Sequence, residues 1–260
     1  MKTLLESMTN QSIDLSKPVC LFDNGTHQVH WVGSVEDTLF RCNAYLLQDG
    51  TETFLIDPGA GRQHFPQVFK RVAMVTDPRK VNRIIVHHQD PDLCSSIPHW
   101  LEINPEIEVM TNSRVGVLIP YYGFDKSRIV EVDDQTHSLQ NGGELQFVGT
   151  PFLHFPGAFN TFDTVSGFLF TSDICAAISG EWQLFVENIE EHFAAMDLFH
   201  IDYMAGNKAL RGYVDKVERL PVKALLPQHG SVIREEDIPA TLRHLSELRC
   251  GLDLIYPDPA

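Results

Sequence analysis

The chain has 260 residues and a mass of 29.4 kDa, with 43% hydrophobic residues, a formal charge of −15 and a pI near 5.1. That length and apolar content suffice to bury the core of one large domain or of two closely packed halves. The acidic balance argues against nucleic acid and against an anionic membrane surface as partners, because both are bound by basic faces.

Residues 1–10 contain no continuous apolar stretch, and no later run is apolar for long enough to span a bilayer, so a cytoplasmic location is expected. The five cysteines, Cys20, Cys42, Cys94, Cys175 and Cys250, are scattered and lack CxxC spacing. They read as reduced, mostly buried thiols and not as a disulfide frame or zinc knuckle.

Over 19–57 the chain reads as hairpin-connected strands at 19–22, 29–32, 43–47 and 53–56, with Asp49-Gly50 as the turn signal before the last. Asp57-Pro58-Gly59 closes that strand. Phe65, Val68, Phe69 and Val72 share one face of a helix predicted over 63–75. A short buried strand, Arg83-Ile84-Ile85-Val86, then runs into His87-His88-Gln89-Asp90-Pro91-Asp92-Leu93. In extended backbone, residues two apart project to one side, so His88, Asp90 and Asp92 are expected to face one point while Gln89, Pro91 and Leu93 turn away. Pro91 disfavours helix at Asp90. An imidazole and two carboxylates converging at a strand end would repel or sit desolvated unless a cation lay between them, and a metal ion is the economical answer. The ordinary alternative is a polar loop.

The pattern then alternates: a helix over 95–103, a strand over 107–110, a short helix after Ser113 and a strand over 128–132. It begins again with strands over 144–148 and 166–170, helices over 189–204 and 208–219, a strand over 223–226 and a helix over 235–248. Two successive β-rich-then-α units predict a single domain over 1–260, made of two pseudo-repeated halves meeting near 135–143. The fold class is α/β, a four-layer αββα sandwich in which strand ends of both halves meet along one edge.

Three later strand ends carry further ligand types. His154 follows Thr150-Pro151-Phe152-Leu153, Asp173 ends Leu169-Phe170-Thr171-Ser172, and His229 ends Leu225-Leu226-Pro227-Gln228. With His88, Asp90 and Asp92 they make three imidazoles and three carboxylates, a set that suits two metals sharing a bridging carboxylate and keeping open positions. Asp57 is assigned to bracing the site loops, and His87, on the opposite side of the strand from His88, to packing or the surface. His64, His99, His137, His192, His200 and His244 carry no signal. Phe152, Phe155, Phe159 and Phe162 read as core, or as the wall of a dry pocket for an apolar gas.

The order HxDxD, then His154, Asp173 and His229, with Asp57-Pro58-Gly59 upstream, resembles the metallo-β-lactamase fold. More closely it resembles the diiron domain of flavodiiron proteins and the oxygen-binding diiron proteins that lack a flavodoxin domain. The likeness runs through His30-Trp31-Val32-Gly33, Asn43-Ala44-Tyr45-Leu46, Leu153-His154-Phe155-Pro156 and Gln228-His229-Gly230, most of the chain. It implies one iron held by His88, Asp90, His154 and Asp173, and a second held by Asp92, His229 and the bridging Asp173. It also implies that His30 lies close to the open metal face. Two departures stand out: Asp90 occurs where the flavodiiron motif usually has Glu, and Leu93 where it has His, so the second iron loses a nitrogen ligand and gains an open position. Hydrolases of the fold share HxHxDH, with an imidazole in place of Asp90. The added carboxylate hardens the ligand set and favours iron over zinc, with manganese a further alternative.

The function expected is that of a non-haem diiron protein binding dioxygen or nitric oxide, as a sensor or carrier or as the reducing module of a redox pair. About thirty residues follow His229, so no flavin is expected on this chain and an external electron donor or signalling partner is. A homodimer is the expected assembly. The competing reading is a dinuclear zinc hydrolase acting on a thioester, lactone or phosphoester. A structural metal site in an interaction module is the blander one, against which open coordination argues.

Overall fold

The computed structural model describes residues 4–35 and 41–256. Met1, Lys2 and Thr3, at the head of the N-terminal stretch read above, lie outside these. Seven strands form the first sheet in chain order: β1 (Val19–Asp23), β2 (His27–Trp31), β3 (Tyr45–Asp49), β4 (Glu52–Ile56), β5 (Arg83–Ile85), β6 (Glu108–Thr111) and β7 (Ile129–Glu131). Pairings from β1 to β4 are antiparallel and from β4 to β7 parallel. Connection length sets the switch: Gly50-Thr51 closes a hairpin, whereas helices α1 (Gly61–Val75), α2 (Pro91–Cys94), α3 (Ile97–Ile103) and α4 (Ser113–Gly116) carry the later crossovers.

The chain passes to the second sheet between Glu131 and Thr136. That sheet comprises β8 (Thr136–Ser138), β9 (Glu144–Gly149), β10 (Phe159–Asp163), β11 (Phe168–Ser172), β12 (Ala224–Pro227) and β13 (Ile233–Arg234), in the spatial order β13-β12-β11-β10-β9-β8. β11 and β12 run parallel, joined through α5 (Ile189–Tyr203) and α6 (Asn207–Val217), and α7 (Ile238–Glu247) follows β13. The Asn188 side chain caps α5 by accepting from the Glu190 and Glu191 amides, and the two glutamates lie where the helix dipole favours negative charge.

Strand alternation divides the core into three layers of side chains. Trp31, Tyr45, Phe54, Phe168 and Phe170 fill the space between the sheets. Leu46, Leu55 and Ile84 point the other way, onto Val68, Val72 and Trp100 of the helices outside the first sheet. Leu169 and Leu225 likewise meet Met196, Leu210 and Leu242 outside the second. Helix, sheet, sheet, helix is the predicted four-layer arrangement. No helix among the described residues is long and apolar enough to cross a membrane.

Some elements differ from the sequence reading. The strand read over 166–170 lies two residues later, because Ser166 and Gly167 turn the chain. The helix read from 95 starts at Ile97, and the last starts at Ile238 after a single 3-10 turn, Glu235–Asp237. β10 is an interior strand that alternation did not predict, since Asn160, Thr161 and Asp163 break its apolar pattern. All three are buried. Its aromatics part company accordingly: Phe159 packs between the sheets, Phe162 under the outer helices, and Phe152 is exposed.

Candidate metal centre

The first support of the site is a buried polar chain from one sheet to the other. At the end of β4, Asp57 accepts from the His87 backbone amide at 3.1 Å and holds His87 Nδ1 at 2.6 Å, while His87 Nε2 lies 2.9 Å from Thr161 Oγ1 on β10. Asp57 therefore braces the loop, as expected. His87 does not simply pack or reach the surface: it is fully buried and ties the two sheets together just before the ligand stretch. With His87 pinned, His88 turns to the other side.

The three motif residues do not converge on one point as extended backbone required. Asp90 is extended, with φ −65° and ψ 147°, but it caps α2, with Pro91 as the first helical residue and Asp92 in the first turn. A proline's fixed φ suits a helix start, so the chain bends after Asp90 and separates the carboxylates. His88 and Asp90 join His154 and Asp173 in one group of donors, and Asp92 joins His229 in another.

Asp173 links the two. Its Oδ2 lies 2.9 Å from His154 Nε2 and 3.3 Å from His88 Nε2, and its Oδ1 lies 3.8 Å from His229 Nε2. Asp90 Oδ2 is 3.3 Å from His154 Nε2 and 3.6 Å from His88 Nε2, and Asp92 Oδ2 is 2.9 Å from His229 Nε2. The outward nitrogens are fixed too: His88 Nδ1 shares a 2.9 Å hydrogen bond with Ser172 Oγ, and His229 Nδ1 donates to the Arg41 carbonyl at 2.8 Å. Holding one ring nitrogen fixes which nitrogen can face a metal. All six residues named from sequence are thus drawn into two adjoining groups.

His30 is not drawn in. Its strand neighbours are Cys20 and Leu46, and Leu46 belongs to the outer core. Burial pushes the His30 imidazole below its ordinary value against the weaker pull of Asp23, and its Nδ1 has no hydrogen-bond partner. It makes no hydrogen bond or ion pair with any of the six.

Several residues outside the six-donor set position the site. His200, on the apolar face of α5, donates from Nδ1 to the Met196 carbonyl and accepts from the Cys175 amide at 3.1 Å, so it holds the turn that follows Asp173. Burial lowers it to about 4, which keeps the ring neutral for both bonds. Asn43 accepts from Trp31 Nε1 at 2.8 Å and donates to the carbonyls of Pro227 and Gly230 at 2.9 Å each, seating the His229 loop against the first sheet. Gly230, at φ +89°, leaves no room for a side chain, since a Cβ would come within 2.9 Å of the Ala177 backbone nitrogen. A histidine within a helical apolar stripe was the only hint of His200, and Ser172 lay in a stretch that shares the family pattern without any role of its own being read from it. The backbone is left-handed at Asp57, which holds His87, at Phe152, two residues before His154, and at Ser172 and Cys175, which flank Asp173, and functional sites are where strain of order 1–3 kcal/mol is usually retained.

The groups form a buried floor and a wetter lip. His88, Asp173 and His229 are buried, whereas the side chains of Asp90, Asp92 and His154 are 33%, 27% and 17% exposed. The rings of Tyr203 and Phe199 stand 5.8 and 6.2 Å from that of His154. A cavity of about 740 Å³ lined by Trp182, Glu187, Glu191, His192 and Gly230 opens beside the His229 loop, and none of the six groups lines it.

Electrostatics mark an incomplete charge balance. Burial alone would push His88 and His154 down, yet the Asp173 and Asp90 carboxylates outweigh it and hold them up at about 10 and about 9. Burial would raise Asp90 and Asp173, yet the imidazoles of His88 and His154 keep both carboxyls below the usual range. Asp173 Oδ1 and His88 Nε2 are buried with no hydrogen bond. Such atoms are costly unless a cation faces them. The residues present therefore fit a pair of divalent ions, His88, Asp90, His154 and Asp173 for one, and Asp92, His229 and the second Asp173 oxygen for the other.

Two helix-flanked sheets with a histidine–carboxylate cluster along their shared strand-end edge define a protein of the metallo-β-lactamase fold. The ODP family of β-lactamase-fold proteins matches residues 40–230, and the chain belongs to that family. A solved structure of a peroxy diiron species of the chemotaxis sensor ODP is 32% identical, covers 92% of this chain and 98% of its own, and superposes with a TM-score of 0.82. The apo state of the chemotaxis sensor ODP from T. denticola is 33% identical over 92% and 97% of the two chains, with a TM-score of 0.81. Flavo-diiron protein FprA2 of Clostridium acetobutylicum is 26% identical over 203 residues, 75% of this chain and 50% of that one. The chain spans about a third to a half of the length of the first curated relatives it matches.

Proposed function

We propose that this chain is a non-haem diiron protein that binds dioxygen or nitric oxide, and that it acts as a sensor or carrier, or as one half of a redox pair. The observation that carries the reading is the buried Asp173 carboxylate, whose two oxygens face two separate groups of nitrogen and oxygen donors. Three carboxylates among six donors make a hard, anionic set, which favours ions that reach a trivalent state over zinc. The relatives support iron, since one is a diiron chemotaxis sensor and another a flavo-diiron protein.

His88, Asp90, His154 and Asp173 would hold one iron and Asp92, His229 and Asp173 the other, and a ferrous pair there would offer two reducing equivalents and open sites for a diatomic gas. The residues do the rest. Ser172 and the Arg41 carbonyl aim two of the rings, Asp90 and Asp92 keep the lip anionic, and the buried Phe199 packs edge-on against the His154 ring with the exposed Tyr203 beside it. Returning the metals to the ferrous state calls for a separate electron donor, and the assembly we infer is a homodimer, for which light scattering should give twice 29.4 kDa.

The test is anaerobic purification with ferrous iron followed by metal analysis. About two irons per chain, and visible absorption that develops when oxygen is admitted, are expected. Stoichiometric zinc with esterase or lactonase turnover, and no response to oxygen, would establish the hydrolase reading in its place.

A further inference from the structure

Leu93 occupies the motif position at which the resemblance expects a histidine, and its side chain is fully buried in the outer apolar core. The second donor group is therefore short of a ligand. Beside it lies a side chain that the six-residue set does not include. Cys42 Sγ is 4.0 Å from His229 Nδ1, and the sulfur, a carboxylate oxygen of Asp92 and a ring nitrogen of His229 all lie within 4.8 Å of one another. One ion with sulfur at about 2.3 Å and oxygen at about 2.1 Å holds such donors up to about 4.4 Å apart. Because the Arg41 carbonyl holds His229 Nδ1 and Asp92 lies at Nε2, a turn of the Cys42 side chain toward the Asp92 side is what brings all three into one coordination sphere.

The thiol's position is built by the surrounding backbone. On one side of it the Arg41 carbonyl accepts from His229 Nδ1; on the other the Asn43 amide donates to the Gln228 carbonyl at 2.6 Å. The Cys42 carbonyl accepts from the Ser34 amide at 2.8 Å, and Gly33 lies so close that a Cβ there would fall 2.7 Å from that oxygen. Residues 41–43 are thus clamped to the loop that carries His229. The buried Asp173 Oδ1, without a hydrogen bond and 3.8 Å from His229 Nε2, separately indicates a cation at this end of the site.

Charge supports the same assignment. Two divalent ions against Asp90, Asp92 and Asp173 leave one positive charge in a largely buried site, and a thiolate brings the sum to zero. We propose that Cys42, as its thiolate, is a ligand of the second metal ion and takes the place of the nitrogen that Leu93 cannot supply. The proposal rests on the dinuclear reading above. When the ion binds, the S–H bond breaks, the proton leaves to solvent and a sulfur–metal bond forms, with no electron transferred. The two ions then sit in chemically different surroundings, one all nitrogen and oxygen, the other with a soft donor.

Anaerobic loading with cobalt(II) tests this without reference to activity. Expected are two cobalt ions per chain, a near-ultraviolet thiolate-to-cobalt band, and X-ray absorption showing sulfur scattering at about 2.3 Å, equal to one sulfur per two cobalts. Cys42→Ser should lose the band and the sulfur scattering. Cys94→Ser, whose thiol hydrogen-bonds to the Asp90 carbonyl, should keep both. Two cobalts with no sulfur scattering in the unaltered protein overturn the proposal and leave the dinuclear reading intact, a result that holds even if Cys42→Ser does not fold. Scattering retained in Cys42→Ser or lost in Cys94→Ser overturns it as well. Fewer than about one cobalt per chain in the unaltered protein removes the dinuclear reading and this proposal with it.

Discussion

Asp173 is the side chain through which the two donor groups communicate, so its removal should differ in kind from removal of any other ligand. Asp173→Ala should take metal content from about two ions per chain to near zero, whereas Asp92→Ala, which touches one group, should leave about one. Metal analysis after gel filtration decides between these outcomes. Asp90→His removes one negative charge from the first group, and weaker oxygen reactivity with increased zinc retention is expected; unchanged oxygen chemistry would show the charge argument to be mistaken. The imidazoles also set a pH dependence. His88 at about 10 and His154 at about 9 are protonated in the metal-free protein near neutrality, and ligation needs the neutral ring. Affinity for cobalt should therefore rise with pH toward about 10, and metal uptake near neutrality should release protons that a pH indicator can count.

The connections between elements matter as much as the ligands. Asn43 accepts from the Trp31 indole N–H and donates to two carbonyls, joining β2 and the loop after β12. Asn43→Ala leaves the Trp31 indole N–H buried without a partner, while Tyr45 and Trp182 still donate to the Pro227 and Gly230 carbonyls, and a loss of about 2 kcal/mol in a urea titration is expected. At the other end of the sandwich, His27 at the start of β2 lies between Asp49 of β3, at 3.3 Å, and Asp163 of β10, at 2.8 Å, all buried. Burial would lower this imidazole, but the Asp163 and Asp49 carboxylates outweigh it and raise its value above the ordinary 6.5. A raised folded value stabilises the fold fully below the unfolded value and less as pH climbs through the folded one. Urea midpoints should accordingly fall on the alkaline side of neutrality by more in the unaltered protein than in His27→Gln. β10 itself was hard to read for a related reason: Thr161 and Asp163 put polar groups at buried positions, unmatched until their partners, His87 and His27, are brought across from the other sheet.

In the whole molecule the site lies on the seam between two sheets. His88, Asp90 and Asp92 follow β5 of the first, while His154, Asp173 and His229 follow strands of the second. Neither half holds a complete donor group. Layering, the α/β alternation and the six donors were legible because each follows from local information: apolar periodicity for the elements, and a titratable residue at the end of a hydrophobic run for each donor. Motif order then supplied the resemblance to a fold. The resemblance implied the division of those donors into two groups with Asp173 between them, whereas extended spacing, which aimed His88, Asp90 and Asp92 at one point, missed the bend at Pro91 that produces it. His87, His200, Ser172, Asn43 and Cys42 acquire roles through contacts between residues 25 to 187 positions apart, and His30 loses the role suggested for it because its strand turns it toward the outer core. A residue's own neighbours in the chain determine whether it prefers strand, helix or turn. Which atom of a histidine is held, and which is left to face a metal, is decided by partners that packing alone brings near.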